Sequence, residues 1–215
     1  VLERGSGSKT LVLLHGYCEG NWVWVKMLPH LREDIRCICI ELPGFGGSAS
    51  ISGLEESGAG GMGMVANVVW AELDKRDLKD VWLAGHSLGG YVMLAMLESA
   101  PERVNGMVLF HSSPFADSPE RKLVRDKVIR LVKENGTAPF LDTFADGLFR
   151  EKGAAWELFR QHSKGTTPDA ITSYAAIMRD RVDHSVLLRA SGKRLLIIAG
   201  RFDAIIPEEV SVSIS

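Results

Sequence analysis

From Thr10 to Phe110 short apolar runs alternate with longer stretches whose apolar positions recur at helical spacing. Thr10 to Leu14 predicts a buried strand that closes on His15-Gly16. Arg36 to Leu42 predicts the next, closing on the turn-rich Pro43-Gly44-Phe45-Gly46-Gly47-Ser48; Val81 to Ala84 and Met107 to Phe110 predict two more. Between them lie three helical stretches: Trp22 to Leu31, limited by Pro29; Met64 to Lys75; and Tyr91 to Ala100, stopped by Pro101. Strand and helix in alternation predict an α/β fold, a mostly parallel sheet with helices on both faces.

The rhythm changes after Pro114. No strand pattern occurs again until Arg194 to Ala199. Leu123, Val124, Val128, Leu131 and Val132 fall on one face of a predicted helix, Ala154 to His162 predicts a second, and a third begins at Thr167-Pro168, a cap followed by proline at the first helical position. Asn135-Gly136-Thr137, formally a glycosylation sequon, reads as a helix-ending turn. The expected organisation is a core of residues 1–113 and 190–215, interrupted by a helical cap or lid of about 75 residues, 114–189. No internal repeat is present.

Composition narrows the function classes. The chain has 215 residues, 46% hydrophobic and 24% charged, with a formal net charge of −2. That balance gives no electrostatic reason for a nucleic-acid or anionic-membrane partner, and basic residues are not gathered into a patch. No apolar run is long enough to span a bilayer, and no basic-then-apolar signal opens the chain. The cysteines Cys18, Cys37 and Cys39 fit a reducing, cytoplasmic setting better than a disulfide framework; Cys37 and Cys39 share one strand face and read as core filling.

The strongest chemical signal is Gly85-His86-Ser87-Leu88-Gly89, directly after one predicted strand and directly before a helix. A serine hydroxyl is a weak nucleophile and must stand clear of the backbone within reach of a base. A sharp strand-to-helix turn forces Ser87 into a strained, positive-φ conformation, and Gly85 and Gly89 leave room for it. The helix N-terminus behind it favours developing negative charge. Acyl transfer also needs two backbone N–H groups aimed at an oxyanion. The expected donors are the amide of Leu88, just after the nucleophile, and that of Tyr17, in the loop after the first strand. Asp203, in Gly200-Arg201-Phe202-Asp203 after a late strand, can orient a catalytic histidine. Gly58-Ala59-Gly60-Gly61-Met62-Gly63 matches the dinucleotide fingerprint in letters, but it follows a polar loop rather than a strand and reads as a flexible loop. No cofactor and no metal site is expected.

Together, His15-Gly16, Leu42-Pro43-Gly44-Phe45-Gly46-Gly47-Ser48, Gly85-His86-Ser87-Leu88-Gly89-Gly90 and Gly200-Arg201-Phe202-Asp203 resemble the α/β-hydrolase superfamily, in its motif order and over nearly the whole chain. The likeness is nearest to its cap-bearing esterases and cofactor-free haloperoxidase-like members. It implies the eight-stranded hydrolase sheet, a helical cap over the site and a Ser–His–Asp triad. Glu41 stands where the family usually has aspartate, a mild departure.

The histidine is the serious departure. The family's histidine follows the acid, whereas residues 204–215 contain none. All six histidines, His15, His30, His86, His111, His162 and His184, lie upstream. The expectation is that the base lies beyond Ser215, with His111, His162 or His184 as substitutes. The chain is accordingly read as a fragment: it opens on Val1, lacks an early strand pair, and lacks the last helix and strand of the sheet. The expected function is hydrolysis of a small ester-like substrate (carboxylic ester, lactone or related acyl compound) through an acyl-enzyme on Ser87. The alternatives are perhydrolysis or carbon–carbon bond hydrolysis by the same triad, or noncatalytic binding of a small ligand. Oligomeric state is not legible.

Overall fold

A computed structural model describes residues 1–214; Ser215, the last residue assigned to the core, lies outside the described residues. The strands are β1 (Leu2–Arg4), β2 (Lys9–Leu14), β3 (Ile35–Ile40), β4 (Val81–His86), β5 (Val104–Phe110) and β6 (Arg194–Ile198). They form one sheet in the order β1-β3-β2-β4-β5-β6. β1 runs antiparallel to β3 and every other pairing is parallel. β1 is an early strand that the polar, charged residues around it hid from the pattern reading. β2 and β4, which carry the first two motifs, are neighbours, with Leu14 opposite Gly85.

Burial follows the strand period. Val12, Leu14, Ile38, Ile40 and Leu83 face α1 (Gly61–Asp74) and α2 (Leu88–Ser99) in the main core. Leu13, Cys37, Cys39 and Ala84 face the other side, against Trp24 and Leu28. Cys37 and Cys39 are core filling on one face, as expected. The segment read as one helix, Trp22 to Leu31, is instead two 3-10 turns, Asn21–Trp24 and Leu28–His30. Pro29 sits at the start of the second, where its ring fits and an α-helix cannot run through.

Five helices lie between β5 and β6: α3 (Pro119–Asn135), α4 (Thr137–Leu148), α5 (Ala154–Ser163), α6 (Pro168–Asp180) and α7 (Ser185–Ala190). Thr167 caps α6 as its sequence predicts, its side chain accepting from the Ala170 amide at 3.2 Å. Gly136, at φ 77°, makes the turn between α3 and α4. α3 departs from expectation: Leu123 and Val124 are exposed and only Val132 is buried. Asp126 of α3 forms an ion pair with Arg179 of α6 at 2.6 Å, so charge as well as apolar surface seats the helix. α6 and α4 bring Tyr174, Phe140 and Phe144 onto Phe45 and Tyr17, in the loops that follow β3 and β2. A short helix, α8 (Glu208–Val212), follows β6.

Candidate active site

Ser87 stands between the end of β4 and the first residue of α2, with φ 49° and ψ −114°. This is the strained conformation that the Gly85-His86-Ser87-Leu88-Gly89 pattern predicts. The turn is closed by the Ser87 amide donating to the Phe110 carbonyl (2.9 Å) and the Gly90 amide donating to the Ser87 carbonyl (3.0 Å). The Ser112 hydroxyl donates to that same carbonyl at 2.8 Å. A side-chain carbon on Gly89 would stand 2.2 Å from the Leu14 carbonyl oxygen, so the elbow admits only glycine there.

The loop after β2 is fixed by polar contacts. The buried His15 ring donates from Nδ1 to the Gly16 carbonyl (2.9 Å) and accepts at Nε2 from the Leu42 amide (3.0 Å). Both bonds together require the neutral ring, and burial holds His15 below the ordinary histidine range. The Glu19 carboxylate accepts from the Gly16 amide at 2.6 Å and pairs with His86 Nδ1 at 2.8 Å. Glu41 accepts from the Asn21 amide at 3.1 Å and so secures the 3-10 turn beyond. The Tyr17 hydroxyl donates to the Ile171 carbonyl of α6 at 2.6 Å. Neither the Tyr17 nor the Leu88 amide donates to a protein acceptor among the described residues, which leaves both predicted oxyanion donors uncommitted.

Asp203 follows β6. Its Oδ1 accepts from the amides of Ile205 and Ile206, both at 2.8 Å, and its Oδ2 lies 2.5 Å from His111 Nδ1. Burial pushes its carboxyl up, but the Ile206 amide, His111 and the Ile205 amide outweigh it and hold the group below the usual carboxylate range. His111 directly follows β5 with φ 48°, and its amide donates to the Ile198 carbonyl at 2.8 Å. Of the three substitute histidines, His111 alone meets Asp203. His162 stacks on Trp22 at 4.8 Å, and His184 faces Glu98 of α2 at 3.2 Å. No histidine ring is hydrogen-bonded to the Ser87 hydroxyl among the described residues.

Sequence reading missed Glu19. Its only signal was a carboxylate three residues beyond a strand-ending His15-Gly16, too common a spacing to single out. Trp24 is core beneath the sheet. Trp22 is half-buried between Phe159 and His162. The glycine-rich 58–63 is no flexible loop but a 3-10 turn running into α1, and no strand precedes it to aim that helix at a phosphate. No group of three or more metal-ligating side chains is gathered among the described residues. No helix of the described residues is long and apolar enough to cross a membrane.

A six-stranded, mostly parallel sheet with a serine on the elbow between strand and helix and an acid after a late strand defines a class. The chain belongs to the α/β-hydrolase fold family, whose model matches residues 9–215. It is 37% identical over 111 residues to a pimeloyl-[acyl-carrier protein] methyl ester esterase of Pectobacterium carotovorum, a match covering 52% of this chain and 40% of that protein. It is 27% identical over 222 residues to a 2-hydroxy-6-oxononadienedioate/2-hydroxy-6-oxononatrienedioate hydrolase of Pseudomonas putida, covering 95% of this chain and 75% of that protein. Among solved structures, a thermophilic esterase from Thermogutta terrifontis superposes with a TM-score of 0.89 at 28% identity, covering 99% of this chain and 78% of that one. The match to the first of these relatives thus spans less than half of that protein's length.

Proposed function

We propose that the protein is a serine hydrolase of small ester-like substrates. The observation that carries this is Ser87 at φ 49° on the elbow between β4 and α2, with Leu88 opening the helix behind it. Ser87 Oγ attacks the acyl carbon as its proton passes to a histidine; the carbonyl oxygen takes the negative charge and draws on the amides of Tyr17 and Leu88. Collapse of the tetrahedral species expels the alcohol, which takes the proton from the histidine. Water, activated by the same histidine, then releases the acid and frees Ser87. Asp203 orients that histidine and offsets its positive charge.

The reading adopted for this histidine is one that follows Asp203 in chain order, as the resemblance to the family implies. A second reading assigns the role to His111, on the strength of its 2.5 Å contact with Asp203. The helices 114–189 serve as a cap: their aromatics Phe140, Phe144 and Tyr174 meet the Tyr17 and Phe45 loops rather than the outer faces of the sheet. The substrate is a small molecule, and no bound cofactor enters any step.

The test is Ser87→Ala in the full-length protein, assayed on small activated esters. Loss of the nucleophile is expected to lower kcat by roughly 10⁶ with the fold intact. Hydrolysis at the wild-type rate by the pure variant would remove the assignment, and binding of a substrate analogue without turnover by wild type would favour a receptor.

A further inference from the structure

We propose that Glu19 is a positioning residue for ester hydrolysis, fastening the loop that carries the Tyr17 amide to His86, the residue before the nucleophile. This rests on the reading above that Ser87 attacks and that the Tyr17 amide helps to hold the oxyanion. The Glu19 side chain is 10% exposed, and one oxygen, Oε2, serves both contacts: the Gly16 amide at 2.6 Å and His86 Nδ1 at 2.8 Å. β2 ends at Leu14 and β4 at His86, so a single carboxylate spans the exits of two neighbouring strands. A side-chain carbon at Gly16 would lie 2.7 Å from Glu19 Oε2 and 2.9 Å from His86 Nδ1, so one of the two side chains would have to shift.

The same turn sets the direction of the Tyr17 amide. The Gly16 carbonyl and the Tyr17 N–H belong to one planar, trans peptide and point in opposite directions. That carbonyl accepts from His15 Nδ1 at 2.9 Å and from the Glu19 amide at 3.3 Å. With the oxygen held, the N–H has one heading. Glu19 therefore fixes this peptide from the far side through its own amide, and fixes the preceding one through its carboxylate. His86 carries the constraint to the elbow, so that loop and nucleophile keep their relative placement. An oxyanion donor acts through placement made before the reaction begins, and a loosened loop loses rate before it loses substrate binding.

The experiment uses the full-length protein, a p-nitrophenyl ester and a trifluoromethyl ketone, whose adduct with a serine places an oxyanion where the transition state does. Glu19→Ala is expected to lower kcat about 10²-fold, with KM little changed and ketone inhibition weakened by a similar factor. Glu19→Gln keeps an acceptor for the Gly16 amide but loses the charged bond to His86. It is expected to lose about tenfold in both readouts, and it carries the test if the alanine variant does not fold. Wild-type kcat and ketone affinity in folded Glu19→Gln would overturn the proposal, as would a loss of kcat in either variant with ketone affinity unchanged. Failure of the underlying reading shows elsewhere: the ketone would not inhibit wild type, or Ser87→Ala would still hydrolyse the ester.

Discussion

His111 Nδ1 lies 2.5 Å from Asp203 Oδ2, while the other oxygen of Asp203 takes two backbone amides. The acid is thus held from three directions, with one strand-end histidine on its open side. Asp203→Asn should leave this scaffold nearly in place yet lower kcat by roughly 10³–10⁴, because an amide no longer stabilises the imidazolium. If the base follows Asp203 in the full-length protein, His111→Gln should cost about tenfold or less, since the acid keeps its backbone donors. A kcat loss in His111→Gln as large as in Asp203→Asn would assign the proton to His111 instead.

The Glu19–His86 pair predicts a titration that can be read directly. Burial alone would push His86 down, but the Glu19 charge and hydrogen bond, with a smaller contribution from Asp203, raise it above its ordinary 6.5. Glu19 is pushed up by burial and brought below 4.5 by the His86 charge and the bonds from His86 and Gly16. The pair's contribution to stability is therefore full between those two ordinary values. It fades as pH falls through the lowered Glu19 value or rises through the raised His86 value. NMR titration of the His86 ring in a Ser87→Ala background should give a midpoint above 6.5, and Glu19→Gln should bring it down.

Asp117 anchors a second buried network. Its side chain is fully buried between Arg181 (2.6 Å) and Arg125 (3.0 Å), and the Arg181 guanidinium also lies 4.0 Å over the Tyr91 ring of α2. Asp117→Asn leaves two guanidiniums facing an uncharged group and should destabilise the fold by about 3–5 kcal/mol in urea. Burial raises the Asp117 carboxyl, and the two arginines more than reverse this, leaving it below 3.8. The stabilisation is accordingly present above 3.8 and lost as pH falls through the lower folded value. The gap between wild type and variant should close only in that acid range.

What the sequence made legible follows from how local each feature is. The elbow needs a strand, five residues and a helix, all adjacent in the chain, so Ser87 and Leu88 could be placed from motif and pattern alone. The Thr167 cap is local in the same way. β1 was missed because an antiparallel edge strand of mostly exposed residues leaves no apolar signature. The exposure of Leu123 and Val124 on α3 was missed because the helix is also seated by Arg179, a residue of another helix. Glu19 was missed for the same reason: its role is a bond to His86, 67 positions away. Contacts between distant segments are set by the fold, and residue pattern carries little trace of them.

The helices between β5 and β6 predict a change in selectivity. Phe144 of α4 is half-buried, its ring 5.6 Å from Tyr17 and 6.0 Å from Phe159. Removing the ring widens the space beside Tyr17, whose loop is proposed to hold the substrate's carbonyl. Phe144→Ala should shift the ratio of kcat/KM for a hexanoate over an acetate ester by about tenfold or more, the scale that methylene contacts carry. An unchanged ratio in a folded variant would place these helices outside the acyl pocket.

The glycines that open α1 separate two uses of the same letters. Gly61 is buried, and a side-chain carbon there would sit 2.2 Å from Cγ2 of Ile177 in α6, so its absence lets the two helices meet. Gly63, two residues on, has open space around it and no positive φ. Gly61→Ala should therefore destabilise, by about 1–3 kcal/mol as overpacking does. Gly63→Ala should stabilise by about 0.5–1 kcal/mol, because alanine loses less backbone entropy in a helix than glycine. Urea denaturation of both variants checks the pair. Opposite signs are expected if the segment is a packing seam between α1 and α6. Were it a nucleotide-binding loop, added nucleotide would raise the unfolding midpoint of the wild-type protein, and Gly61→Ala would abolish that rise; no rise is expected.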